Sequence, residues 1–148
     1  MATSCVGRKG LVVACDLLTF EPVEGAVILP ARDFTSNQTQ EEMVRLLGER
    51  RVNVVLSDMA PNVSGVPEMD HDGITDLVYH VVRFALLNSA NNGALLVKMF
   101  NGRNLDKVVS DIQRYYKLVK QLKPSSSRRE SSEIYILAKN FVGIKNRE

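Results

Sequence analysis

A chain of 148 residues, 45% hydrophobic and 24% charged, is sized and composed for one globular domain with a real core. No apolar run approaches the roughly 20 residues of a bilayer span, residues 1–10 lack a secretory h-region, and Cys5, Cys15, His71 and His80 show no metal-ligand spacing, so a membrane span, a secretory signal and a structural metal are not expected and a reducing compartment is. The net charge of +2 hides two opposed parts: residues 1–97 hold 7 Lys/Arg against 12 Asp/Glu, and residues 98–148 hold 12 against 5, which suits an acidic small-molecule pocket beside a surface for a polyanion such as nucleic acid.

In chain order, Leu11–Cys15 reads as a strand ending at Asp16, and Ala26–Leu29 as a second, followed by Arg32-Asp33-Phe34. Thr39 and Glu42 have capping-box spacing, and a helix carrying Met43, Leu46 and Leu47 stops at Gly48. Val52–Leu56 is a β-branched run that delivers Asp58 and stops at Pro61-Asn62, the pattern of a buried parallel strand ending at a sheet's carboxyl edge. Gly65–Gly73 reads as a loop, with Asp70 or Asp72 capping a helix that runs to about Asn88 through Ile74, Leu77, Val78, Val81, Phe84 and Ala85. Asn91-Asn92-Gly93 reads as a turn before the strand Ala94–Phe100. Leu105, Val108, Val109, Ile112 and Tyr115 mark a further amphipathic helix. Leu118–Lys123 and Glu133–Ala138 close the chain as strands, and the loop Pro124–Ser132 is too short for a helical crossover, so this pair is antiparallel. The order describes one α/β domain over residues 1–148, mostly parallel and ending in a hairpin.

Three charged side chains stand in or at the ends of apolar strands: Asp58, Lys98 and Glu133. A lysine after Ala94-Leu95-Leu96-Val97 is costly to bury unless it is paired, and two acids on neighbouring strands can pair it. Such a group is a structural ion triad or a catalytic one.

The ordered motifs Ser57-Asp58-Met59-Ala60-Pro61-Asn62, Val97-Lys98-Met99-Phe100 and Lys123-Pro124 through Ser132-Glu133-Ile134-Tyr135 resemble the FtsJ/RrmJ-type ribosomal RNA 2′-O-methyltransferases, over about Gly7 to Lys139. Asp70-His71-Asp72 and Arg129–Glu133 look closer to the mitochondrial branch than to the bacterial one. The resemblance implies a Rossmann-like fold using S-adenosylmethionine to methylate a ribose, a uridine's, in large-subunit ribosomal RNA or the pre-ribosomal large subunit. It makes Asp58, Lys98 and Glu133 the last three members of a Lys-Asp-Lys-Glu tetrad, with Lys98 as proton acceptor or, if the adjacent carboxylates keep it charged, as a donor that steers the hydroxyl and stabilises developing alkoxide. It assigns Asp16 to the cofactor ribose, Asp33 to the adenine amino group, and Asp58 to the wall of the same pocket. Arg128 and Arg129 suit RNA phosphate, and Tyr135 offers a ring for an unpaired base.

The family's amino-terminal lysine-bearing helix, first strand and Gly-x-x-Pro-Gly loop have no counterpart in Met1–Val6. A sheet without that strand is expected to be unstable alone and to bind S-adenosylmethionine poorly. Mitochondrial residence follows from the branch likeness, with the import segment in the portion not represented; the alternative is cytoplasmic. The rival functions are a non-catalytic RNA-binding or ribosome-assembly protein and a nicotinamide-dependent oxidoreductase. The second lacks a Gly-x-Gly-x-x-Gly after an early strand.

Overall fold

The computed structural model describes residues 2–62, 64–124 and 132–144. It divides into two compact units, residues 1–50 and 51–148. The first holds α1 (Ala2–Cys5), β1 (Val12–Cys15), β2 (Ala26–Leu29) and α2 (Asn37–Leu47). β1 and β2 pair in parallel, with Val12 beside Ala26 and Cys15 beside Leu29. Both strands therefore end on one side, where the Arg32 amide donates to the Asp16 carbonyl at 2.8 Å and ties the two following loops together.

The Thr39–Glu42 capping box does not form. α2 starts two residues earlier, at Asn37, with Ser36 as N-cap and no side-chain cap bond. Its entry is set by Asp33 instead, whose Oδ1 accepts from the Thr35 amide (2.9 Å) and hydroxyl (2.7 Å), while Gln40 Nε2 donates to the Phe34 carbonyl at 2.9 Å. Glu42 is drawn off to Arg32 at 3.4 Å. Gly48 ends the helix as expected, at φ 61°.

The second unit holds β3 (Val52–Ser57), α3 (Pro67–Asn88), β4 (Ser89–Phe100), α4 (Leu105–Gln113), β5 (Tyr116–Leu122) and β6 (Glu133–Phe141). Its sheet has the order β3-β4-β6-β5, and β6 runs antiparallel to both neighbours while β3 and β4 are parallel. The final antiparallel pair is thus present, with its last strand inserted beside β4. Along β4, Leu95, Val97 and Met99 are buried, against a core that includes Ile74, Val78 and Val81 of α3, Val108 and Ile112 of α4, and Ile136 and Ala138 of β6. Alternation puts Leu96, Lys98 and Phe100 on the opposite face.

Two expectations are corrected here. The polar stretch 65–73 is helical from Pro67, because proline is preset for the first helical turn and needs no amide partner there. Asp70 serves the preceding loop, accepting from the Ser64 amide (2.8 Å) and hydroxyl (2.7 Å). Asn91-Asn92-Gly93 lies inside β4, where Asn92 takes φ 65° and the register with β3 shifts between Val52 and Val54. Gly93 is required there: a Cβ would stand 2.9 Å from the Ala90 carbonyl and 3.3 Å from that of Asn53.

Candidate active site

The site is assembled by strand register in the second unit. β3 pairs with β4 up to Ser57 beside Val97, so Asp58 emerges from β3 level with Lys98. On the other side, β6 places Tyr135 directly across from Lys98 and Glu133 across from Phe100. Glu133 and Tyr135, two residues apart, share one face of β6. The loop after Asp58 is held by Pro61, whose Cβ lies 3.0 Å from where a Cβ on Gly73 of α3 would be. A side chain at position 73 would push that loop outward.

Lys98 Nζ stands 3.1 Å from Asp58 Oδ1 and 3.6 Å from Glu133 Oε1. The Tyr135 hydroxyl donates to the same Asp58 Oδ1 at 2.5 Å. The lysine side chain is only 12% exposed, whereas those of Asp58 and Glu133 are 71% and 42% exposed. The lysine side chain is thus largely covered, while both acids that pair its ammonium open to solvent.

Opposing effects decide the charge states. Burial pulls the Lys98 ammonium toward neutrality, but its hydrogen bond to Asp58 and the negative charges of Asp58 and Glu133 outweigh this and raise its pKa. Burial likewise pushes Asp58 up, yet the hydrogen bonds from Tyr135 and Lys98 and the ammonium's charge hold it below its ordinary range. The Tyr135 phenol is pushed up, first by its bond to Asp58 and then by burial. The resting cluster at neutral pH is therefore carboxylate, ammonium, phenol.

Asp16 and Asp33 lie in the first unit, at the end of β1 and beyond β2, and each has an Oδ1 that accepts a backbone amide, from Leu18 (3.0 Å) and Thr35 respectively. Burial and then the charges of Asp16 and Asp33 push the Cys15 thiol up, so both acids bear on the end of β1. Arg128 and Arg129 lie outside the described residues. His71 is helical, packing edge-on against Phe100 at 5.7 Å between ring centroids. Sequence reasoning missed the Tyr135–Asp58 bond, although the spacing Glu133-x-Tyr135 already put both side chains on one strand face. It also missed a polar cluster between α3 and α4, where Tyr79 donates to Asp111 at 2.6 Å and Arg103 meets Asp72 at 2.9 Å. Among the described residues, no group of three or more His, Cys, Asp or Glu is arranged to hold a metal ion, and no helix is long and apolar enough to cross a membrane.

Comparison with known proteins meets this geometry from outside. Residues 2–141 match the model of the FtsJ-like methyltransferase family. The chain is 44% identical over 135 residues to the mitochondrial rRNA methyltransferase 2 of Drosophila melanogaster, covering 91% of this chain and 54% of the fly protein. It is 38% identical over 141 residues to ribosomal RNA large subunit methyltransferase E of Dechloromonas aromatica, covering 95% of this chain and 68% of that protein. The chain thus spans little more than half of the first relative and about two thirds of the second. A Plasmodium falciparum crystal structure assigned as a ribosomal RNA methyltransferase superposes with a TM-score of 0.78 at 21% identity, over 89% of this chain and 72% of that one, a likeness of fold. With the acid–amine–acid motifs in order along a chain matched over nearly its whole length, this protein belongs to the FtsJ-like methyltransferase family.

Proposed function

We propose that the protein methylates the 2′-oxygen of a ribose, a uridine's, in large-subunit ribosomal RNA, using S-adenosylmethionine. The observation that carries this reading is the Lys98 ammonium seated between Asp58 and Glu133 at the carboxyl end of β3 and beside it on β4 and β6. Open α/β sheets bind ligands along that edge. The names of the fly and bacterial relatives support the ribosomal RNA substrate, and the fly relative's name supports mitochondrial residence; methylation of that RNA would give the protein a part in ribosome biogenesis.

The carboxylates fit the cofactor chemically. Asp16, Asp33 and Asp58 follow strand ends and, when ionised, are acceptor-only groups suited to ribose hydroxyls and an exocyclic amine. We assign Asp16 to the ribose, Asp33 to the adenine amino group and Asp58 to the wall near the reacting centre. S-adenosylmethionine, when bound, supplies a methyl group already activated by a sulfonium charge. The chain's own work is in-line placement and proton management. Lys98, charged at rest, donates to the 2′-oxygen and steadies negative charge developing there. That donation makes the hydroxyl more acidic, so a carboxylate of the cluster takes its proton as the oxygen forms the new C–O bond and the methyl–sulfur bond breaks. A neutral lysine is not needed, which revises the proton-acceptor role that the family resemblance suggests. Arg128 and Arg129 are assigned to RNA phosphate and the ring of Tyr135 to an unpaired base.

The test is where the methyl group goes. With tritiated S-adenosylmethionine and large-subunit ribosomal RNA, the label should appear in alkali-resistant dinucleotides, the mark of a methylated 2′-oxygen. Label confined to free mononucleotides would mean base methylation. Retention of the RNA with no transfer would favour the assembly-protein reading.

A further inference from the structure

We propose that the Tyr135 hydroxyl is a positioning group, fixing the Asp58 carboxylate that in turn seats Lys98; this rests on the methyl-transfer reading above. Asp58 lies just past the end of β3, an edge strand, and its side chain is 71% exposed, so little packing limits its rotation. Tyr135 is held differently. It sits in β6, which has ladder partners on both sides, opposite Lys98 on β4 and Leu122 on β5. Two donors from adjacent strands thus converge on one oxygen, Asp58 Oδ1, at 2.5 Å and 3.1 Å. A single ammonium would leave the carboxylate free to swing about that contact, whereas two fixed donors define its plane. The charged and titratable groups around this point are Lys98 from β4 and Glu133 and Tyr135 from β6. Base stacking needs only the ring of Tyr135, so the hydroxyl has a separate task.

Tyr135→Phe separates the two, since it keeps the ring and removes the donor. With ribosomal RNA varied at saturating S-adenosylmethionine, kcat should fall about tenfold while KM for RNA stays unchanged. The acid limb of the kcat profile should move to higher pH, because Asp58 loses a bond that stabilises its charged form. Carbon-13 titration of the Asp58 carboxyl should show the same upward movement without any turnover. An unchanged Asp58 midpoint overturns the proposal, and so does an unchanged kcat in an active enzyme. A raised RNA KM at unchanged kcat would assign the hydroxyl to RNA binding and overturn the positioning role. Absence of transfer by the wild-type protein would remove the functional reading, and the carboxyl titration would still decide what the hydroxyl does.

Discussion

Lys98 is the residue on which structure and chemistry bear most directly. Its side chain is only 12% exposed, and against the pull of burial the hydrogen bond to Asp58 and the charges of Asp58 and Glu133 keep its ammonium charged. The sign of the pH dependence follows. The Lys98 pKa is raised, so its interactions are intact below the ordinary lysine value and are lost as pH climbs through the raised one. The Asp58 pKa is lowered, so its contribution is present above the ordinary aspartate value and is lost as pH falls through the lowered one. Methyl transfer should accordingly hold a broad plateau through neutrality and decline on the alkaline side only when Lys98 deprotonates. A rate that instead climbs steadily with pH toward the lysine range would identify neutral Lys98 as the active base. The three charged members of this cluster were legible because each interrupts or ends an apolar run. The Tyr135 hydroxyl was not, since its partner lies 77 residues away and is met only through sheet register.

At the scale of elements, β4 and β3 make contrasting predictions. Leu95 on β4 is fully buried, whereas Val54 and Leu56 on β3 are 55% and 62% exposed despite a strand sequence suited to burial on both sides. Leu95→Ala should cost about 2–5 kcal/mol in denaturant unfolding, and Leu56→Lys should stay within about 0.5 kcal/mol. A large loss from Leu56→Lys would show that this face of β3 is covered in solution. Element types were legible from periodicity, but boundaries failed where a local signal competed with a stronger constraint. Pro67 began a helix inside a stretch whose polarity suggested a loop. Asn91-Asn92-Gly93, a strong turn signal by composition, was absorbed into β4 as a left-handed irregularity because pairing with β3 continues past it. The capping box failed because Asp33 and Arg32 took over the work of Thr39 and Glu42.

Across the whole molecule, the opposed charge of the two parts of the sequence places 12 of the 19 Lys and Arg residues at position 98 or later. Of those described, Lys117, Lys120 and Lys123 lie on or next to β5, which ends the second sheet, and Lys139 lies across from Leu118 on β6. That distribution was readable from the sequence as a surface for a polyanion; its relation to an RNA contact was not, because Arg128 and Arg129 fall outside the described residues. Among the described residues, the division of six strands between a two-stranded and a four-stranded sheet also escaped a reading that took the strands as one series. The central claim is that an ammonium held by two acids promotes methyl transfer to ribose, and side-by-side transfer by wild type and Lys98→Ala tests it most directly. With tritiated S-adenosylmethionine and large-subunit ribosomal RNA, the variant should lose about 100- to 1,000-fold in rate while retaining its circular dichroism spectrum. Equal labelling by the two proteins would contradict the account.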